Sequence, residues 1–240
     1  MHIHAPSLND FCIQQANNLE MRHNGNVQPT ELNLPDLKGQ EPEDAKQQLR
    51  QLIRNSRDRL NAVQVKQAGE TIREKALAIA KDCHTIACYV AVNKEPPTLE
   101  LIEELFQQGK RLLLPKLGPK LNRDWAYYEG LDDLADLSPD RPKEPSGNAL
   151  DSSALAAVDL VIAPALAVDS HGNRLGQGGG WYDRALPYIK PSTPIYALCY
   201  PNELITQIEL PTDQYDIPVT GVITPEHCYT VGGTDFRAED

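Results

Sequence analysis

The residues best suited to chemistry lie in RLGQGGGWYDR, positions 174 to 184. Gly176, Gly178, Gly179 and Gly180 fill four of five consecutive positions, with Arg174 before them and Trp181, Tyr182, Asp183 and Arg184 directly after. Glycine costs about 1 kcal/mol against alanine inside regular structure, so such a cluster needs a reason. One reason is a flexible turn. The other is a bed of backbone NH groups that must lie against phosphate. DLVIAPALAVD, just upstream, starts as a buried strand, and WYDRAL reads as a helix. The loop therefore opens a helix at the C-terminal end of a strand, where α/β sheets bind ligands and helix amides favour anions. Two familiar nucleotide motifs do not fit. The P-loop would need G-K-[ST], yet Trp181 follows Gly180, and the dinucleotide fingerprint would need glycine at 181.

A second charge group is periodic. In PEDAKQQLRQLIRNSRDRL, positions 42 to 60, Ala45, Leu49, Leu52, Ile53 and Leu60 form an apolar helical stripe. Lys46, Arg50, Arg54 and Arg57 recur at three- and four-residue intervals on a different face. Such a row either grips an anion or is an ordinary solvated face. No Ser/His or Cys/His constellation suggests a nucleophile. The five cysteines, Cys12, Cys83, Cys88, Cys199 and Cys228, form no C-x-x-C pair. Cys88 and Cys199 sit in apolar runs, as small buried hydrophobes do in a reducing compartment. His171 reads as a turn residue beside Gly172.

The elements that must position these groups follow from pattern. At 240 residues, with 40% hydrophobic and 24% charged, the chain suits one globular domain with a full core. A net charge of −11 argues against nucleic acid and confines any phosphate site to a local basic patch. No apolar run approaches ~18 residues and the N-terminus lacks a signal pattern, so a cytoplasmic protein without membrane contact is expected. TIACYVAV, RLLLP, PIYALCY and GVIT read as strands. A second helix is expected at about 66 to 81. TLELIEELFQQGK reads as a helix capped by Thr98 and ended by Gly109, and NELITQIEL as another. The segment 125 to 147 is expected to be an edge hairpin or an excursion over a site. Strands alternating with helices mean an α/β domain on a mainly parallel sheet. Residues 1 to 40, rich in Asn and Gln, are expected to be a disordered and dispensable extension, 41 to 230 the domain, and 231 to 240 a flexible tail.

DLVIAPALAVDSHGNRLGQGGGWYDRAL resembles the signature of the 5-formyltetrahydrofolate cyclo-ligase (methenyltetrahydrofolate synthetase) family. AKQQLRQLIRNSR is similar to that family's opening basic helix, YVAVNKEPPTLELIEELFQQGKRLLLPKL to its strand, acidic turn and helix, and YDIPVTGVITPE to its closing segment. The resemblance covers about 42 to 227. It implies a three-layer α/β/α fold similar to the sugar-phosphate isomerase and CoA transferase folds. It also implies conversion of 5-formyltetrahydrofolate and ATP to 5,10-methenyltetrahydrofolate, ADP and phosphate with Mg²⁺. Phosphoryl transfer would turn the inert formyl oxygen into a leaving group, and the neighbouring folate amine would then close the ring. Positioning and charge neutralisation suffice for such a reaction.

By the same resemblance, Arg174, Leu175, Gly176, Gln177, Gly178, Gly179, Gly180, Trp181 and Tyr182 form the ATP loop, joined by Lys46 and Arg50. Arg50, Val90, Glu95, Gln177, Gly178 and Gly180 would meet the folate, and Asp183 and Asp216 would hold Mg²⁺. Lys46, Arg50, Gln177 and Asp183 would carry the catalysis. Many members have lysine where Gly179 stands, tyrosine or phenylalanine for Trp181, and often arginine for Lys116. A loop charge is thus missing and must come from elsewhere. Small-molecule partners and a monomer are expected. A non-catalytic folate- or nucleotide-binding protein on this fold is the alternative, and a sugar-phosphate isomerase relative would need a base that the sequence does not offer.

Overall fold

The computed structural model describes residues 32–117, 122–137, 141–231 and 236–238. In chain order its strands are β1 (Thr85–Ala87), β2 (Arg111–Leu117), β3 (Arg123–Tyr127), β4 (Leu134–Ala135), β5 (Glu144–Pro145), β6 (Leu160–Pro164) and β7 (Ala167–Asp169). They continue as β8 (Arg174–Leu175), β9 (Ile195–Leu198), β10 (Leu204–Ile205), β11 (Gly221–Ile223), β12 (Cys228–Thr230) and β13 (Arg237–Ala238). The α-helices are α1 (Pro42–Asp58), α2 (Ala62–Ile79), α3 (Leu99–Gln107) and α4 (Trp181–Ala185).

The main sheet runs β13-β12-β11-β9-β6-β1-β2-β3. Its central strands β2, β1, β6, β9 and β11 are parallel, and antiparallel strands close both edges. The chain moves outward from β1 to β2 and then returns to place β6 on β1's other side. That reversal opens a crevice at the C-terminal ends of β1 and β6, the place where such sheets hold ligands.

Pleating sends alternate residues to opposite faces. Leu160 and Ile162 of β6 pack with Ile72 of α2 and with Leu101, Ile102 and Leu105 of α3. Val161 and Ala163 face the other way, toward Tyr182, Ala185 and Leu186. Each fully buried leucine or isoleucine contributes roughly 1.5–3 kcal/mol. The expected third layer is thin. That face is covered by α4 and by 3₁₀ turns at Ser152–Ala157 and Leu186–Tyr188, because the glycine loop and Pro187 leave little room for a long helix. Helix α1 covers neither face. Its Leu49 and Ile53 pack on a second sheet, β10-β7-β8, through Ala167, Leu175 and Ile205.

Arg57 fastens α1 to the strand ends. It donates to both carboxylate oxygens of Glu203 at 2.6 and 2.9 Å and to the Ala165 carbonyl at 2.7 Å, with Arg57 and Glu203 both buried. Burial works against the guanidinium charge, but Glu203 more than offsets it, so Arg57 stays charged. Arg57 thus departs from both expectations for the row: it lies neither on a solvated face nor at the loop, but forms a buried anchor.

Other sequence expectations are also revised. NELITQIEL is a 3₁₀ turn, Pro201–Glu203, followed by β10, because the Glu203 side chain takes the Tyr200 amide and Arg57 instead of projecting from a helix. The Thr98 hydroxyl does not cap α3. It donates to the Tyr89 carbonyl and accepts from the Ala91 amide, tying down the chain beyond β1. Helix α2 starts at Ala62, ahead of the expected 66, through a reciprocal Asn61–Gln64 capping box.

The segment 125 to 147 supplies the edge strand β3 and a small β4–β5 ribbon. The disordered extension drawn to residue 40 is corrected over 32 to 40: Leu32, Leu34 and Leu37 pack against the α1 cluster, and residues 1–31 lie outside the described ones. In the expected tail, Arg237 and Ala238 pair with Thr230 and Tyr229. Among the described residues, no helix is long and apolar enough to cross a membrane.

Two stability outcomes follow from this docking. Glu203→Gln leaves a buried guanidinium without its counter-charge, and urea denaturation should show a loss of about 3 kcal/mol. A chain beginning at residue 39 should be less stable than one beginning at 32 by about 2 kcal/mol, the contribution of three half-buried leucines.

Candidate active site

Two glycines in the loop between β8 and α4 have backbone that other residues rarely adopt, Gly178 at φ 93° and Gly180 at φ 61°. A Cβ on Gly178 would also stand 3.3 Å from Cζ of Arg50. The guanidinium lies directly against the loop backbone. It donates from Nε to the Gly176 carbonyl at 3.0 Å and from Nη1 to Glu43 Oε1 at 2.8 Å, and it is only 6% exposed. Close approach by a cation is thus one physical reason for the cluster. Gly179 differs, since nothing lies within 4 Å of where its Cβ would be.

The loop borders a cavity of about 190 Å³ together with Glu43, Lys46, Arg50, Pro164, Asp213 and Asp216. Lys46 reaches from α1 to Asp216 Oδ2 at 2.9 Å and to Asp213 Oδ2 at 3.4 Å. Burial disfavours its ammonium charge, but the two aspartates outweigh that and raise its pKa above the usual lysine value. Arg174 donates to Asp183 Oδ1 at 2.7 Å and to the Pro164 carbonyl at 3.2 Å, which ties the loop to the end of β6. A larger groove of about 720 Å³ lies beside α2 and the start of α3 and contains none of the site residues expected from the sequence.

On the side facing β1, the Gln177 amide bridges two charges. Its Nε2 donates to Glu95 Oε1 at 2.8 Å, while its Oε1 accepts from Arg54 at 2.9 and 3.2 Å. Glu95 is buried, and its other oxygen takes the Val92 amide at 3.0 Å. Asn93, at φ 53°, makes the turn that permits this.

The structure therefore gathers Lys46, Arg50, Arg174, the glycines, Asp183 and Asp216 around one cavity, with Glu95 joined to it through Gln177. Leu175, Trp181 and Tyr182 line the same cavity while their side chains also serve the core. Val90 is half-buried against the α2–α3 core. The Leu175 side chain belongs to the α1 core, and Trp181 packs on the opposite core. Tyr182 is buried with its ring edge-on to Trp125 at 5.9 Å, and it anchors α4.

Sequence reading missed Glu43, Asp213 and the specific role of Arg54. Their signals were present: Glu43 stands two helical turns before Arg50, Arg54 one turn after it, and Asp213 three residues before Asp216. Burial disfavours the reactive thiolate at the buried cysteines. Burial pushes Cys88 up to about 12 and Cys199 well above its usual value.

The family model for the 5-formyltetrahydrofolate cyclo-ligase family matches residues 42–225. This chain belongs to that family. It is 32% identical over 189 residues to the 5-formyltetrahydrofolate cyclo-ligase of Mycolicibacterium smegmatis, covering 76% of this chain and 94% of that one. It is 32% identical over 181 residues to the Escherichia coli K12 enzyme, covering 72% and 97%. The fold is similar to that of Aquifex aeolicus 5,10-methenyltetrahydrofolate synthetase, with a TM-score of 0.66 at 24% identity over 81% of this chain and 96% of the other. It is also similar to the Mycoplasma pneumoniae synthetase, with a TM-score of 0.59 at 20% identity over 75% and 98%. The family shares the mixed α/β architecture with its large, mainly parallel sheet.

Within the cyclo-ligase loop, the glycines should separate by their surroundings. Gly178→Ala adds strain and crowds Arg50, so turnover should fall by at least ~10-fold. Gly179→Ala meets open space and should change turnover and melting temperature little. Equal sensitivity at both positions would refute the assignment of Gly178 as the point of close approach.

Proposed function

We propose how this chain performs the reaction of its family, the ATP-driven conversion of 5-formyltetrahydrofolate to 5,10-methenyltetrahydrofolate with release of ADP and phosphate. The observation that carries the proposal is the pairing of opposite charges around the glycine cavity. Three cations line it, Lys46, Arg50 and Arg174. Each is paired with a carboxylate, respectively Asp216, Glu43 and Asp183. Asp213 adds a fourth acid, so the lining is not net positive.

A triphosphate entering alone would meet four carboxylates against three cations. Entry with a divalent cation would resolve the conflict: Lys46, Arg50 and Arg174 would be free to meet phosphate oxygens, and the carboxylates they release would be free to hold the metal. Asp183 and Asp216 suit Mg²⁺, which takes one or two carboxylates and leaves its remaining positions to phosphate and water. Each is tied to its cation through a single oxygen, Oδ1 and Oδ2 respectively. The donor set fits the ion. When bound, Mg²⁺ would neutralise phosphate charge during transfer.

The loop backbone and Arg50 would hold the transferred phosphoryl group, and the Gln177–Glu95 pair would face the folate. Glu95 offers acceptor oxygens for the pterin's amino and ring NH groups. The formyl oxygen attacks the γ-phosphorus and ADP leaves. The neighbouring folate amine then attacks the activated carbon, its proton passes to solvent, and phosphate leaves as the ring closes. Both amine and formyl carbon belong to one molecule, so fixing the folate's conformation supplies a high effective concentration. No side chain needs to act as nucleophile. The buried cysteines Cys83, Cys88 and Cys199, which form no disulfide, support a reducing, cytoplasmic setting. Monomeric action on these small molecules completes the reading.

Protein mixed with Mg-ATP and 5-formyltetrahydrofolate should generate the near-ultraviolet absorbance of the methenyl product. Asp183→Asn retains shape and an acceptor for Arg174 while removing the charge. Its turnover should drop by ~100-fold or more, about 2.7 kcal/mol, and its Mg²⁺ titration should shift to higher concentration. Superimposable titrations with full activity would reduce Asp183 to a partner of Arg174.

A further inference from the structure

The Arg54 guanidinium meets the Gln177 residue three times. Nε and Nη2 donate to the side-chain Oε1 at 3.2 and 2.9 Å, and Nη2 donates to the backbone carbonyl at 3.1 Å. On the far side of the same amide, Nε2 donates to Glu95 at 2.8 Å. A side-chain amide is nearly symmetric in shape, and its orientation is decided by what surrounds it. Here a cation stands at one end and a carboxylate at the other. Turning the amide over would set NH₂ against guanidinium and oxygen against carboxylate, losing three hydrogen bonds and creating two repulsive contacts.

We infer that Arg54 is a positioning residue for the cyclo-ligase reaction, holding the Gln177 amide with its NH₂ end turned toward Glu95 and the folate side of the site. Gln177 then presents a hydrogen-bond donor, never an acceptor, to the group that docks there. Arg54 also holds the Gln177 carbonyl, so it restrains the loop backbone immediately before Gly178. The loop carries no cation at Gly179, and Arg54 brings one to the loop from α1. Arg54 is exposed, and exposed polar contacts contribute little to folding. Its three bonds therefore matter chiefly for geometry. The inference rests on the proposed role of Gln177 at the folate, and the following tests separate the two.

In the substrate-free protein, the Gln177 side-chain NH₂ resonances, assigned by their absence in Gln177→Ala, report the amide directly. Arg54→Ala should move them toward the values of a free glutamine, and Arg54→Lys should restore them in part. Turnover should fall by ~10-fold in Arg54→Ala with an unchanged melting temperature and a smaller change in KM for ATP. In a Gln177→Ala background, the same Arg54 substitution should cost no more than about 2-fold. Unmoved NH₂ resonances, or an undiminished cost in that background, would overturn the positioning role. Full activity of Gln177→Ala itself would refute the folate reading instead, while the resonances would still report whether Arg54 holds the amide.

Discussion

Arg57 and Glu203 form the contact on which the site depends. The pair joins α1 to the 3₁₀ turn after β9, and the third bond of Arg57 reaches the chain just beyond β6. Arg54, Arg50, Lys46 and Glu43 stand about one, two, three and four turns ahead of this anchor. Lys46, Arg50 and Arg54 have no direct attachment to the main sheet, and their reach is fixed by a helix pinned at its far end. A buried ion pair is costly to desolvate and becomes favourable only with good geometry. Here both carboxylate oxygens are engaged, and one of them also takes the Tyr200 amide.

A second constraint is electroneutrality. The cavity holds its cations ready without leaving them bare, because each is balanced by an acid. Glu43 comes from the same helix as Arg50, Asp183 from the helix after the loop, and Asp213 and Asp216 from the turn before β11. Burial would otherwise oppose the Lys46 charge, and the aspartates reverse that tendency. The arrangement resembles a set of clasps closed in the absence of ligand and exchanged for phosphate and metal on binding.

The legible parts of the sequence were those governed by local pattern. Strand–helix alternation, the glycine loop at a strand end, the break at Pro187 and the basic row of α1 all follow from spacing or turn chemistry. The misread parts depended on distant partners. NELITQIEL has helical composition, but Glu203 is committed to Arg57, 146 residues away in sequence. Thr98 has the identity of a helix cap, but its hydroxyl belongs to the chain after β1. Periodicity marked Arg57 as one of a row and could not reveal that a carboxylate waited opposite it. The leucines at 32, 34 and 37 were hidden by polar neighbours, since three apolar residues acquire meaning only when a cluster is there to receive them.

That long separation has a consequence for the chain as it is made. At ~5–20 residues per second, about 7–30 s pass on a ribosome between the synthesis of Arg57 and that of Glu203. Throughout that interval α1 has neither its counter-charge nor β10, and Leu49 and Ile53 lack part of their cover. The first of the described helices to emerge is thus among the last to be seated. A nascent chain halted before residue 203 would carry the complete β1–β6 crevice but no positioned basic row, so the cavity is completed only after that turn has been made.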